Sequence, residues 1–156
     1  MNRTIYLVDN NALIALTRRR VKTEFFAEHC RITADVLHEA SEHSERRRLV
    51  AVAEATTSEV LEQVRVVMAD VAVGDTELVD LYANKGAADP GLIATVLARA
   101  AAQGEYLFPD EWVIVTLDRA VQDAAKRHGV TTMRPGELAD LIDAATALDG
   151  ENTGFR

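Results

Sequence analysis

The sequence predicts an α/β fold, a single domain in which helices cover both faces of a parallel sheet. Two short apolar runs, residues 5–8 and 112–115, are each followed within three residues by an acidic residue at which a helix is expected to begin. Strand patterns alternate with helix patterns along the chain, and helices that connect parallel strands cover the faces of the sheet. The 156 residues, 48% of them hydrophobic, are enough for one domain with its own core.

The first half of the chain begins with a predicted strand over residues 5–8, which ends at Asp9, and Asn10 and Asn11 then start a helix. Residues 12–58 favour helix, with breaks at residues 30–33 and 41–44, so we expect two or three helices there. Residues 64–68 resemble a second strand, and residues 76–84 resemble a short helix.

In the second half, Asp89 and Pro90 begin a helix that runs to about residue 104, because Asp is a favoured cap and Pro a favoured first helical residue. Residues 112–115 form the clearest strand. The helix after it covers residues 119–128 and stops at Gly129. A last strand over residues 131–133 precedes a helix over residues 135–145. The domain is predicted to span residues 1–148, with a flexible tail at residues 149–156.

Composition limits the classes of function. The net charge of −8 opposes binding of nucleic acid through a broadly basic surface, although catalytic acids add to that charge and phosphate contacts need only a local group of cations. The single Cys30 cannot form an internal disulfide, and no apolar run approaches the ~20 residues that span a bilayer. We therefore expect a cytoplasmic protein that does not bind membranes.

Three aspartates stand at predicted helix starts, and capping alone would explain each of them: Asp9, Asp89 and Asp118. Their shared position suggests a second role. The carboxyl ends of neighbouring parallel strands line one crevice, so Asp9 and Asp118 would lie close together if their strands are neighbours. Carboxylates that close stay ionised only when cations lie between them.

Glu39 is the fourth candidate acid. On a helix that includes Ile32 and Val36, ~100° per residue places Glu39 on the inward face. An ionised carboxylate on a buried face needs an ion pair or a metal, so the alternatives are a salt bridge to a core-facing arginine or a helix rotated from this arrangement. Oxygen donors without nearby His or Cys ligands favour Mg²⁺ or Mn²⁺ over Zn²⁺.

Other candidates surround these acids. Asn11 and Thr116 lie two residues from Asp9 and Asp118 and are placed to hydrogen-bond a carboxylate or a bound water, with turn and cap chemistry as the alternative. Asp123 is a possible fifth carboxylate, although a solvent-facing helix position explains it more simply. The chain has two dense basic groups: Arg18, Arg19 and Arg20 with Lys22, and Arg46, Arg47 and Arg48. Each group either forms a solvated helix face or contacts phosphates or a protein partner.

Taken together, these motifs resemble the PIN-domain nucleases, especially the small VapC-like toxins. The resemblance rests on residues 5–11, an early helix that carries Glu39, residues 86–89 (Gly-Ala-Ala-Asp) and residues 113–118, and it extends from Ile5 to about Ala145. There are two departures. Ala87 stands where some relatives carry another acid, and Pro90 follows the third acid where a small residue is more usual.

The resemblance implies about five parallel strands, dependence on Mg²⁺ or Mn²⁺, and endonucleolytic cleavage of single-stranded RNA. It carries the metal-binding role to Asp9, Glu39, Asp89 and Asp118 and the supporting polar role to Asn11 and Thr116. It also implies a small antitoxin protein as inhibitor and a homodimer.

Two other classes of function compete. A non-catalytic protein-interaction module on the same fold would use its acids only as caps. A receiver-like phosphoryl-transfer domain also groups acids at strand ends beside a threonine, but Arg134 stands here where such a domain would carry a lysine after its last strand.

Overall fold

Five parallel strands form the sheet in a computed structural model that describes residues 2–71 and 89–152, apart from the side chains of Asp89 and Asn152. The strands are β1 (Thr4–Val8), β2 (Cys30–Thr33), β3 (Ala53–Glu54), β4 (Glu111–Val115) and β5 (Thr131–Met133). Their order across the sheet is β3-β2-β1-β4-β5, and every pairing is parallel. The predicted α/β fold with about five parallel strands is confirmed.

Helices cover both faces of this sheet. They are α1 (Asn10–Val21), α2 (Glu24–His29), α3 (Ala34–Glu39), α4 (Arg46–Ala51), α5 (Ser58–Ala69), α6 (Asp89–Ala102), α7 (Arg119–Arg127) and α8 (Pro135–Asn152). Helices α1 and α2 both contact α8, whereas α6 contacts both α5 and α7. Within the described ranges, no helix combines the length and the apolar character that crossing a membrane requires.

The two central strands, β1 and β4, are built from residues that are apolar on both faces. Leu7 and Val8 of β1 pair with Ile114 and Val115 of β4, and all four are fully buried. Apolar residues on both faces are typical of a parallel strand between two helix layers. This pairing confirms that the strands before Asp9 and Asp118 are neighbours.

Two predictions about the first half were wrong. Residues 64–68 belong to α5, in which Val60, Val64 and Val67 recur with a helical spacing and pack inward, so the helical period outweighs the strand preference of valine. Between β1 and β3, a stretch that the structure describes completely, the chain also forms four helices, α1 to α4, instead of the expected two or three. The break predicted at residues 30–33 is confirmed, and those residues form β2 beside β1, a strand that was not predicted. The break at residues 41–44 is confirmed, because those residues form a turn.

Boundaries in the second half agree closely with the sequence. Helix α7 ends before Gly129, whose φ of +70° is the left-handed conformation expected of a glycine stop. Helix α8 extends to Asn152, four residues beyond the predicted domain end at residue 148. The short helix predicted over residues 76–84 lies outside the described residues.

Candidate functional site

The candidate site lies at β1 and β4, where the order in which strands are added to the sheet reverses. From β1 the chain continues to β2 and β3 on one side, and it then crosses to β4 and β5 on the other side of β1. In open parallel sheets, ligands bind in the crevice at the carboxyl ends of the strands that flank such a reversal. Asp9 follows β1 and Thr116 follows β4, so both residues lie at this crevice.

Asp9 is a buried carboxylate with both oxygens hydrogen-bonded. It is 6% exposed, its Oδ1 accepts the N–H of Ala12 at 2.6 Å, and its Oδ2 accepts the hydroxyl of Thr116. Burial raises the pKa of the Asp9 carboxyl, and the charge of Asp118 raises it further, although the two hydrogen bonds act in the opposite direction. Asp9 therefore caps α1 and also faces a second acid.

Thr116 links the two strand ends. Its side chain is fully buried, and its hydroxyl donates to Asp9 while accepting the backbone N–H of Asp118 at 3.0 Å. Its own N–H donates to the carbonyl of Met133 at 3.0 Å, which anchors it to β5. These hydrogen bonds hold Asp9 and the start of α7 in fixed positions relative to each other. They are a physical basis for the supporting role that was predicted for Thr116.

Asp118 caps α7 from the rim of the crevice. Its Oδ1 accepts the N–H groups of Ala120 at 2.8 Å and Val121 at 3.3 Å. Its Oδ2 accepts no hydrogen bond from any described residue, and the side chain is exposed. One carboxylate oxygen is therefore engaged by the helix, while the other is available to a ligand.

Glu39 reaches the same crevice by a different geometry from the predicted one. The inward-facing position was wrong because Ile32 lies in β2 and α3 begins only at Ala34, so the two residues do not share a helix face. Glu39 is the last residue of α3 and is exposed. It forms no hydrogen bond or ion pair with any described residue. Partial burial, followed by the charges of Asp35 and Asp9, raises the pKa of its carboxyl.

Three of the predicted acids and Asn11 line one small cavity of about 70 Å³. The lining residues are Asp9, Asn10, Asn11, Val36, Glu39, Leu92 and Asp118. Since a water molecule occupies ~30 Å³, this space holds about two waters or an ion that has lost most of its hydration shell, and it is too small for a nucleotide. Asn10, Val36 and Leu92 were not predicted, although the position of Asn10 directly after Asp9 was an available signal.

Asp89 is the fourth predicted acid, and its side chain lies outside the described residues. Helix α6 begins at Asp89, and Leu92, one turn further along, lines the cavity. The first turn of α6 therefore lies beside the cavity, and a role for the Asp89 carboxylate stays a prediction. Asp123 is exposed and does not line the cavity.

The cavity is lined by residue types that hard divalent cations prefer. Asp9, Glu39 and Asp118 all line it, and hard cations favour carboxylate ligands. Among the residues that the structure describes, however, no three His, Cys, Asp or Glu side chains form a ready metal-binding group. The single thiol is unsuited to this chemistry, because burial raises the pKa of Cys30 to about 12.

The two predicted basic groups meet at Glu45. Its carboxylate lies 2.7 Å from Arg18, 3.7 Å from Lys22 and 3.5 Å from Arg48, and these cations lower its pKa. The other members are distributed as follows: Arg19 and Arg20 pair with Asp143, Arg46 donates to the carbonyl of Leu37, and Arg47 is exposed with no partner in the described ranges. Most of these cations are therefore already engaged within the molecule, and their contact with RNA stays a prediction.

The sequence matches no protein-family model and no curated protein. Fold and site together define an α/β domain with an acidic crevice at the carboxyl edge of its sheet.

Proposed function

We propose that the protein is a Mg²⁺- or Mn²⁺-dependent endoribonuclease that hydrolyses single-stranded RNA. The observation that carries this proposal is the meeting of Asp9, Glu39 and Asp118, from three distant segments, around one small cavity. The resemblance of the motifs around these residues to PIN-domain nucleases supports the same activity.

The electrostatics of the crevice favour a bound cation. Asp9 and Asp118 interact unfavourably, and so do Glu39 and Asp9. Like charges this close raise the free energy of the folded protein unless a cation lies between them or one of them is protonated. A divalent ion would relieve both interactions at neutral pH.

Each residue then has a distinct part. Asp9, held by Ala12 and Thr116, presents a carboxylate that cannot rotate away, and it would be the central ligand. Glu39 and Asp118 would complete the ligand set from the rim, with Asp89 as the proposed fourth member. Held by these residues, a divalent ion would supply activation of a water and would offset the charge that develops on the phosphate.

The proposed reaction needs no side-chain nucleophile. Water adds to phosphorus, the bond between phosphorus and the 3′ oxygen breaks, and the released 3′ oxygen takes up a proton. The products carry 5′-phosphate and 3′-hydroxyl ends. Asn11, which lines the cavity from α1, is placed to hydrogen-bond the water or the phosphate.

The biological role that we propose is that of a toxin inhibited by a small antitoxin protein, in the cytoplasm and as a homodimer. This part rests on the resemblance to VapC-like proteins alone. Isolation of small proteins that bind the chain in its native cells, followed by a test of whether they inhibit cleavage, examines it directly.

The test of the activity is RNA cleavage by the full chain with Mg²⁺, with Mn²⁺ or with EDTA. We expect cleavage only with a metal, and its loss in Asp9→Asn. Asp123→Asn is the matched control, because Asp123 is an exposed aspartate on α7 outside the cavity. Cleavage that persists in EDTA or in Asp9→Asn would contradict the proposal.

A non-catalytic interaction module is the second candidate, and the capping roles of Asp9 and Asp118 favour it. Both acids already have a structural purpose. A thermal-shift titration with Mg²⁺ and Mn²⁺ separates the two candidates, because an ion that binds only the folded state raises the melting temperature. An unchanged melting temperature would favour the module.

A further inference from the structure

We infer that the groove beside the acidic cavity binds one nucleotide of the RNA, with Arg134 contacting its phosphate and Leu117 contacting its base. This inference rests on the proposed nuclease function and names a substrate subsite for it. The groove has a volume of about 450 Å³, which is within the usual range for small-molecule sites. The acidic cavity holds only about 70 Å³, so the nucleotides next to the cleaved bond must lie elsewhere.

The groove and the cavity share two walls. Leu117 lines the groove, and the next residue, Asp118, lines the cavity. On α1, Asn11 lines the cavity and Ala15, one helical turn later, lines the groove. The groove is therefore adjacent to the cavity, within reach of a nucleotide next to the cleaved bond.

Arg134 supplies a free cation at this position. Its backbone N–H donates to the Glu137 carboxylate at 2.9 Å, whereas its guanidinium has no hydrogen bond or ion pair with any described residue. Arginine binds phosphate through paired N–H groups and is favoured where phosphate must be oriented. By contrast, Arg18, Lys22 and Arg48 share Glu45, so Arg134 is better placed to bind the substrate.

Leu117 supplies the apolar surface. It is 60% exposed although it lies between the buried Thr116 and the cap residue Asp118. Ala15 and Ala139 add small apolar side chains to the same groove. A flat base packs against such a surface without needing a specific hydrogen-bond pattern.

Two acids, Glu137 and Asp140, also line the groove, and their negative charges would repel a phosphate placed beside them. Glu137 is already engaged as the acceptor of the Arg134 backbone N–H at the start of α8. Carboxylates accept hydrogen bonds from the amino groups of bases. We therefore place the phosphate at Arg134, before α8 begins, and the base between Leu117 and the two acids of α8.

The test measures binding of a short fluorescent single-stranded RNA by anisotropy in the Asp9→Asn background. Arg134→Gln should weaken binding about tenfold, the effect of losing one charge-assisted contact. It should also reduce the slope of log affinity against log salt by about 0.7. Leu117→Ser should weaken binding without changing that slope. Arg127→Gln is the matched control, because Arg127 is an exposed arginine in the last turn of α7 that does not line the groove.

Unchanged RNA affinity in both Arg134→Gln and Leu117→Ser would overturn the inference. A groove that binds a protein segment and not RNA would give this result. An equal loss in Arg127→Gln would also overturn it, because the effect would then be one of overall charge. Cleavage by the otherwise unaltered protein is measured in parallel. If that protein cuts RNA and the Arg134 variant binds normally, only this inference fails, whereas absence of metal-dependent cleavage rejects the proposed function itself.

Discussion

Asp9 combines a structural role with a candidate catalytic one, and these roles are compatible. Each carboxylate oxygen accepts one hydrogen bond, from Ala12 or from Thr116, and retains a further lone pair for a ligand. Burial and the nearby Asp118 raise its pKa, which is a cost that a purely capping residue on the surface would not incur. Substitutions that preserve the cap while removing the charge separate the two roles.

Asp9→Asn should lose RNA cleavage and lower the stability of the protein much less than Asp9→Ala does, because an amide oxygen still accepts the Ala12 N–H and the amide N–H can donate to the Thr116 hydroxyl. Asp9→Ala should also lose cleavage, with a fall of about 1–2 kcal/mol in the free energy of unfolding. Urea denaturation and a cleavage assay on both variants measure this. If Asp9→Asn retained normal cleavage, the carboxylate would be structural only.

Glu39 should destabilise the metal-free protein at neutral pH. Its folded-state pKa is raised, so protonation favours folding, and stability falls as the pH rises from the ordinary carboxyl pKa through the raised one. We therefore expect Glu39→Gln to melt at a higher temperature than the unaltered protein at pH 7 in EDTA. The difference should disappear below about pH 4, where both side chains are neutral. A lower melting temperature for Glu39→Gln at pH 7 would contradict this electrostatic account.

At the scale of elements, helix α1 contains an unusual break. Thr17 has φ +68° and ψ 155°, a region that only glycine adopts without strain, and it separates the first part of the helix from the last turn that carries Arg18, Arg19 and Arg20. The side chain is exposed and branched at Cβ, so no buried contact explains it. The strain redirects the basic last turn of α1.

Thr17→Gly should stabilise the protein by about 1 kcal/mol. The relief of ~1–3 kcal/mol of backbone strain exceeds the ~0.5–1 kcal/mol entropic cost of a glycine. Chemical denaturation measures the change. Thr17→Ala is the matched control, because alanine loses the branched side chain and keeps the strain. An equal gain in Thr17→Ala would show that the side chain, and not the backbone, is responsible.

How far the sequence predicted the elements depended on their length and on their flanking signals. Strands β1 and β4 were predicted because four consecutive apolar residues, 5–8 and 112–115, lead to a clear cap, and α6 because Asp89 and Pro90 mark its start. Strands β2 and β3 have only four and two residues, too few to show a period of two, and they form because β1 and β2 offer edges to pair with.

The candidate site was predicted in part. Asp9 and Asp118 could be found because both follow strong strands, and their proximity depends on β1 and β4 being neighbours, which the sequence did not show. Glu39 reaches the cavity from the end of a short helix after β2, and no periodicity argument gives that geometry. The groove beside the cavity is formed by α1, α8 and Leu117 together, so only the tertiary arrangement reveals it.

At the scale of the whole molecule, net charge and local charge differ. The chain carries a net charge of −8, and the acidic cavity concentrates part of that charge at one edge of the sheet. Cations such as Arg18, Arg48 and Arg20 are held by Glu45 and Asp143. The proposed divalent ion would lower this local negative charge before an RNA binds there.

Divalent ions should raise the melting temperature of the whole molecule, and above the dissociation constant the gain in stability should grow with the logarithm of the free ion concentration. At a free ion concentration 100 times the dissociation constant, the gain is about 2.7 kcal/mol. Glu39→Gln should reduce the shift with Mn²⁺, whereas Asp123→Asn should not. Equal shifts in all three proteins would place the ion away from the cavity.

The most direct test of the central claim is anomalous diffraction from crystals soaked in Mn²⁺. We predict a peak within coordination distance of the carboxylates of Asp9, Glu39 and Asp118. Crystals that show no peak in this cavity, from a protein that still cleaves RNA with Mn²⁺ in solution, would contradict the claim that these acids bind the catalytic ion.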